Sequence, residues 1–380
     1  LLSLIPAMNY SGLGALICRS MFRLNDITLV QFRNYVQQSF HFSERVIGIC
    51  GQNGTGKTNL LDAIYYLSFS KSYFSRPDVQ NVHHGSAGLR IQGQYTVEEK
   101  NMTVTAIVRE TGKKELQLDG EPYKKFSDHI GTIPVVMIAP DDIELISGPG
   151  EERRKFLDTL ISQLDHAYLQ QLINYQKILQ QRNSLLKQAG ESGHIDETLL
   201  SILNDQLSDS GSFLYETRKT FLASLLPLAF TIYERIAGKS DELSLAYFSP
   251  LSSTHFKDLL QNNRAKDFAL QRTSSGIHRD DIILSMGDEL FKSEASQGQR
   301  KSLLFALKLA EWQILKEKKG FTPILLLDDV FEKLDDTRMS QLLQWVCSES
   351  DGQVFITDTH PERLKQQLTV TKAAFQMITL

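Results

Sequence analysis

Along this chain polar and apolar residues alternate, then recur at helical spacing, then alternate again. Phe22–Val30 alternates in the β manner, as does Ser39–Phe42, and 88–118 repeats the pattern in Leu89–Tyr95, Met102–Val108 and Glu115–Leu118. Polar breaks at Glu98–Asn101 and Thr111–Lys114 make those three segments an antiparallel meander. Between about 150 and 237 the period changes. Phe156, Leu157, Leu160, Ile161, Leu164, Tyr168, Leu172, Tyr175 and Leu179 recur three or four apart, as do Leu199, Leu203, Leu207 and Leu214 beyond Gly190-Glu-Ser-Gly193. That spacing predicts amphipathic helices. Alternation resumes at Leu243–Phe248 and Asp281–Ser285, so the helical block reads as an arm inserted between β-rich parts. It keeps no strict heptad, which argues against a long coiled coil.

Two apolar runs do not alternate, and each ends in chemistry. Val46-Ile-Gly-Ile49 and Pro323-Ile-Leu-Leu-Leu327 suit parallel strands buried on both faces. The first leads into Gly51-Gln-Asn-Gly54-Thr-Gly56-Lys57-Thr58-Asn59, which has the P-loop spacing and is followed by a helical pattern over Leu60–Leu67. Glycines there let successive backbone N–H groups turn toward an anion, and the helix that follows adds its unpaired amides and positive dipole end. Lys57 would bridge the β and γ phosphates of a nucleotide, and the Thr58 hydroxyl would hold a magnesium ion. The second run ends in Asp328-Asp329. Asp328 would orient the magnesium through its water, and Asp329 would polarise the attacking water as general base. Further along, Ser296-Gln-Gly-Gln299 opens the helical pattern Leu303–Trp312. Ser296 suits an ordinary N-cap there, and Ser-x-Gly-Gln also resembles the signature motif of ATP-binding-cassette ATPases.

Composition narrows the class. With 380 residues, 41% hydrophobic and 23% charged, the chain is long enough for one large or two ordinary globular domains, and membrane spanning is not expected. A net charge of −4 gives no global attraction to nucleic acid, so any such contact must come from a local basic patch. Cys18, Cys50 and Cys347 are odd in number and lack metal-ligand spacing, which suits buried thiols in a reducing compartment. Residues 1–20 lack the basic start and cleavage pattern of a signal peptide, and Met21 is the expected natural start. The expected organisation is an extension over 1–20, an ATPase head from 21–149 and 241–380, and a helical arm over 150–240.

The motifs together resemble the RecF family, compact bacterial relatives of the SMC-type chromosome and repair ATPases. The resemblance rests on FRNY at 32–35, GQNGTGKTNLLDAI at 51–64, APDDIELISGPGEERRKFLD at 139–158, SGIHRDD at 275–281, SQGQRKS at 296–302 and LLLDDVFEKLD at 325–335. Departures are Ile277 in place of the family's Pro and Glu332-Lys333 in place of Ser-Glu. The resemblance implies an α/β cassette-type head with a mixed sheet and a β meander, interrupted by the helical arm. It implies a weak, DNA-stimulated ATPase using ATP and magnesium, in which Ser296, Gln297, Gly298 and Gln299 of one subunit cap the nucleotide held by another. It places Arg33 and Asn34 near the nucleotide, gives Asp335 a role across the dimer, and leaves the switch residue among Thr357, Asp358 and His360. It also implies a cytoplasmic, ATP-dependent homodimer that binds gapped or junction DNA and works with RecO and RecR in loading RecA on single strands. Lys71, Arg76, Lys113, Lys114, Arg153 and Arg154 are the candidate phosphate contacts.

Two other machines share the nucleotide motifs. A transporter's nucleotide-binding subunit does not suit the 270 residues from Thr58 to Asp328 or the Asp-Asp pair, and an SMC-like chromosome organiser needs a far longer coiled coil.

Overall fold

The computed structural model describes residues 22–74, 77–98, 100–238, 242–330 and 336–380. The extension over 1–20, Met21, Arg76 and Asp335 lie outside these residues.

Two sheets sandwich the P-loop helix. The antiparallel sheet runs Tyr35–His41, Phe22–Phe32, Leu89–Val97, Lys100–Val108, Lys114–Leu118, Glu121–Pro122. Its meander has the expected order, and Leu89, Ile91, Tyr95, Val104, Ala106 and Leu116 point to the core. In Phe22–Phe32 the register slips between Leu24 and Asp26. This bulge turns both Leu24 and Ile27 inward in spite of their odd spacing. Beyond the slip the Leu24 backbone bonds to the Gln353 side-chain amide, donating its N–H and accepting at its carbonyl, each at 2.8 Å. The helix Lys57–Phe69 lies so close to this sheet that a Cβ on Gly93 would stand 2.7 Å from Leu67 Cδ1.

The parallel sheet is ordered Phe375–Thr379, Val46–Cys50, Val354–Asp358, Ile324–Leu327, Val135–Ile138. Its inner strands are buried at every position, which is why their sequence shows no alternation. Register aligns Cys50 with Asp358 and Leu327 with both Ile356 and Ile138. The ends of three strands therefore meet at one edge, carrying the P-loop, Thr357 and Asp328.

The helical block differs from the sequence pattern at one place. The run from Phe156 to Leu179 is two helices, Gly150–Leu164 and His166–Ser192, because Asp165 caps the second by accepting the Tyr168 N–H at 3.0 Å. Gly193, in the left-handed region, ends that helix, and Glu197–Ala237 runs back. On length and composition Glu197–Ala237 is the one described helix apolar enough to cross a membrane. Its Leu207, Leu214, Leu222, Leu225 and Ala229 are instead core residues, and it packs against the helix Gln297–Lys319. Two buried arginines lock the block through three ion pairs. Arg182 binds Asp267 at 2.8 Å, and Arg218 binds Asp158 at 2.8 Å and Asp280 at 2.7 Å. Each guanidinium is 1% exposed, so these pairs exist without water to weaken them. Cys50 and Cys347 are buried free thiols, raised to about 11 and about 12 mainly by burial.

Candidate nucleotide site

The P-loop leaves its strand at Cys50 and turns on Gly54 and Gly56, with φ of 85° and 115°. A Cβ at Gly56 would lie 2.7 Å from Asn34 Nδ2 and Tyr35 Oη, so both conformation and space require glycine. Beside Gly54 a Cβ would meet nothing within 4 Å, leaving the loop open on that side. Lys57 is 7% exposed and curls inward, its ammonium donating to the carbonyls of Gly51 at 2.7 Å and Gln52 at 3.0 Å. Thr55 Oγ1 donates to the Gln52 carbonyl at 3.0 Å. A cavity of about 170 Å³ lies here between Asn53, Gly54, Gly56, Lys57, Thr58 and Asn59 on one side and Asp328 and Asp329 on the other.

Across that cavity the Thr58 hydroxyl lies 3.0 Å from each Asp328 carboxylate oxygen. Asp328 Oδ1 also accepts from the Thr357 hydroxyl at 2.8 Å, and Thr357 Oγ1 accepts the Asp329 N–H at 2.9 Å. Burial pushes the Asp328 carboxyl above its ordinary range, while bonds from Thr357 and Thr58 act the other way. Oxygen donors of this hardness, a threonine hydroxyl and a carboxylate beside a phosphate cradle, fit magnesium. Asp329 adopts φ 50°, in the left-handed region, and lines the same cavity as Asp328.

Supports for the loop come from the FRNY segment. Asn34 Nδ2 donates to the Thr55 carbonyl at 2.9 Å while its Oδ1 accepts from Asn59 Nδ2 at 2.7 Å, and the Tyr35 hydroxyl donates to the Gly56 carbonyl at 3.0 Å. Arg33 lies beside the P-loop, bonded to Asn59 at its end. Its guanidinium bonds to Asp62, to Asn59 Oδ1 at 3.1 Å and to Ser72 Oγ at 2.8 Å. Asp62 is fully buried on the P-loop helix and its carboxyl is raised by that burial, so it needs a cation beneath the helix.

The signature segment sits elsewhere. Ser296 caps Gln297–Lys319 reciprocally with Gln299: Gln299 N donates to Ser296 Oγ at 3.2 Å, and Ser296 N donates to Gln299 Oε1 at 2.8 Å. None of Ser296, Gln297, Gly298 or Gln299 lines the P-loop cavity. A Cβ on Gly298 would stand 2.8 Å from an Arg338 guanidinium nitrogen.

The switch candidates separate. Thr357 reaches Asp328, Asp358 is buried and holds Arg363, and His360 is exposed at the cap of Pro361–Val370. Of the three, Thr357 is the one bonded to Asp328. Among the basic candidates, Arg153 is engaged within the chain: it grips Asp281 at 2.6 and 3.0 Å and the carbonyls of Leu145 and Gly148. Lys114 donates to the Ser70 carbonyl and pairs with Asp78 at 2.9 Å, and Lys113 is exposed 3.7 Å from Glu115. Lys71 and Arg154 meet in one cleft. Sequence reasoning missed Asp62 and the link from Thr357 to Asp328. A lone Asp inside the apolar stretch Leu60–Leu67 was the available signal for the first.

Comparison with known proteins agrees with this arrangement. The family model for the RecF/RecN/SMC N terminal domain matches residues 23–378. The DNA replication and repair protein RecF of Flavobacterium johnsoniae is 43% identical over 357 residues, covering 94% of this chain and 99% of that protein. The protein of the same name from Parabacteroides distasonis is 40% identical, covering 91% of this chain and 93% of its own. Among solved structures, the recombination mediator protein RecF-ATP in the RecFOR pathway superposes with a TM-score of 0.84 at 30% identity, covering 91% of this chain and 94% of that one. An Smc head domain with an extended coiled coil gives a TM-score of 0.52 at 15% identity over 92% of each chain, a likeness of fold alone. The chain belongs to the RecF family of the RecF/RecN/SMC N terminal domain proteins.

Proposed function

We propose that this chain is an ATP-gated DNA-binding protein of recombinational repair and replication restart, in which ATP joins two copies head to tail on DNA. The observation that carries the reading is an asymmetry in one chain. Thr58, Asp328 and Thr357 form a bonded set opposite the P-loop, whereas the signature donors Ser296 and Gly298 lie outside that cavity. A second copy supplying its signature would complete each site.

Magnesium, when bound, neutralises charge on the β and γ phosphate oxygens. The chain's own part follows from its residues. Gly54 and Gly56 open the backbone to the phosphates, Lys57 releases the Gly51 and Gln52 carbonyls to reach them, and Thr58 and Asp328 hold the ion. Asp329 takes the proton from the attacking water. Loss of the γ-phosphate removes the group that both subunits grip, and the dimer parts. Hydrolysis in this scheme is slow and stimulated by DNA. The protein acts in the cytoplasm on gapped or junction duplexes, with RecO and RecR, in loading RecA onto single strands. Head segments 21–149 and 241–380 carry the nucleotide chemistry, and the arm over 150–240 extends the surface.

Sedimentation mass with and without ATP and magnesium, and with and without a gapped duplex, tests the reading. Wild type should pass from monomer to dimer with ATP and bind DNA more tightly, and Lys57→Met should do neither. A mass that ignores ATP defeats the proposal.

A further inference from the structure

A second cavity, of about 610 Å³, opens where the end of the P-loop helix, the turn at Phe126–Asp128, and the helices Gly150–Leu164 and His166–Ser192 come together. It is built within one chain and shares no residue with the P-loop cavity. One wall is aliphatic: Leu169, Leu172, Ile173 and Leu179 lie on one face of His166–Ser192, and Ile173 is 45% exposed at the mouth. Its volume is in the range of sites that take a small ligand or a few side chains.

The charged groups around this floor are positive where they are unbalanced. Lys71 has no ion-pair partner among the described residues, and burial together with Lys155 and Lys114 pushes its ammonium below its ordinary range. Arg154 donates one N–H to the Asp280 carbonyl at 2.7 Å, and burial and Arg218 lower it too. Asp158, on the same wall, is neutralised by Arg218 at 2.8 Å, and Glu151 is the remaining carboxylate at the rim. His278 bonds to the Tyr175 hydroxyl and the Thr273 carbonyl, and burial takes it down to about 4, so it adds no charge near neutrality. An anion entering beside Lys71 and Arg154 would gain charge-assisted bonds from both.

The aromatic rings decide between an anionic peptide and a nucleic acid. Phe69 stacks on Tyr65 at 4.5 Å, Tyr175 on Phe256 at 6.3 Å, and Lys114 covers Phe126 at 5.0 Å. Phe69 and Tyr175 are 5% and 1% exposed, so neither presents a ring to a splayed base, the platform that single-strand binding uses. An aliphatic floor behind a cationic rim instead matches an apolar anchor side chain flanked by carboxylates. We propose that this cleft between Lys71, Arg154 and the Leu169–Leu179 face docks an acidic segment of a partner protein that inserts a large apolar side chain.

A short fluorescein-labelled peptide of aspartates and glutamates ending in Leu-Phe, titrated with the full chain and read by anisotropy, tests this. Binding should saturate, and oligothymidine should not displace the peptide. Lys71→Glu, at an exposed residue without an ion pair, should weaken binding at least about tenfold, as loss of a charge-assisted contact does. Ile173→Asp, at the exposed mouth, should weaken it comparably, as should replacing Leu-Phe by Ser-Ser, with both protein variants retaining the wild-type melting profile. The proposal is overturned if the peptide does not bind, if binding is indifferent to both substitutions, or if oligothymidine displaces it, which would give the cleft to nucleic acid.

Discussion

Two helices of this chain begin at glycine-bearing polar segments, and their beginnings are used differently. At Gly51–Thr58 the surroundings are organised around the loop: Asn34 and Tyr35 brace it, Arg33 neutralises Asp62 beneath its helix, and Thr58 faces Asp328 across it. At Ser296–Gln299 the hydroxyl and the glutamine side chain close on each other, in a cap complete within its own helix. The first is a binding site within one chain. The second is a helix cap, and in the proposed dimer the same residues would serve a neighbour without destabilising their own helix.

Substitutions should separate the two halves. The largest effect is expected at Asp329: Asp329→Asn should lower single-turnover hydrolysis by about a hundredfold or more, the usual worth of a general base, while ATP-dependent dimer mass persists. Equal hydrolysis would remove Asp329 from the chemistry. Next, Arg33→Met leaves the buried Asp62 carboxylate without its cation, and the unfolding free energy in urea should fall by about 3 kcal/mol. A loss confined to ATP affinity would instead place Arg33 at the nucleotide.

A pH effect comes third. Glu311, on the signature helix and fully enclosed, is raised from 4.5 to about 7 chiefly by burial, with Lys308 opposing and Asp142 adding to the rise. The folded chain thus holds a proton that the unfolded chain releases, so this group's contribution to stability declines as pH rises from about 4.5 to about 7. Glu311→Gln should be the more stable protein at pH 8, by about 3 kcal/mol, and nearly equal to wild type at pH 5. Equal stability at both pH values would show that Glu311 finds a compensating partner. The smallest effect belongs to Ser296→Ala, which should cost about 1 kcal/mol through the lost cap.

The legibility of the sequence follows the same division. The P-loop was readable because its requirements fall on contiguous residues: a buried strand, glycines at fixed spacing, then a helix. The meander was readable because one face of it is buried, which imposes alternation. Thr357 was not, because its place beside Asp328 is set by the register of Val354–Asp358 against Ile324–Leu327, a pairing between segments remote in sequence. The break at Asp165 escaped because Leu164 and Tyr168 keep a four-residue interval across it, so periodicity continues where the backbone does not. For Arg33 the position beside the P-loop was legible, and its partner Asp62 was hidden in an apolar run.

The central claim is that each site needs the P-loop of one copy and the signature of another. Its most direct test mixes two inactive proteins, Lys57→Met and Ser296→Asp. Aspartate caps a helix as well as serine does, so the second variant keeps its fold while presenting a negative charge to the γ-phosphate. Each alone should be silent, and an equal mixture should recover ATP turnover, because a mixed dimer joins the intact P-loop of one variant to the intact signature of the other. A mixture as silent as its components would contradict a signature acting on a neighbour's nucleotide.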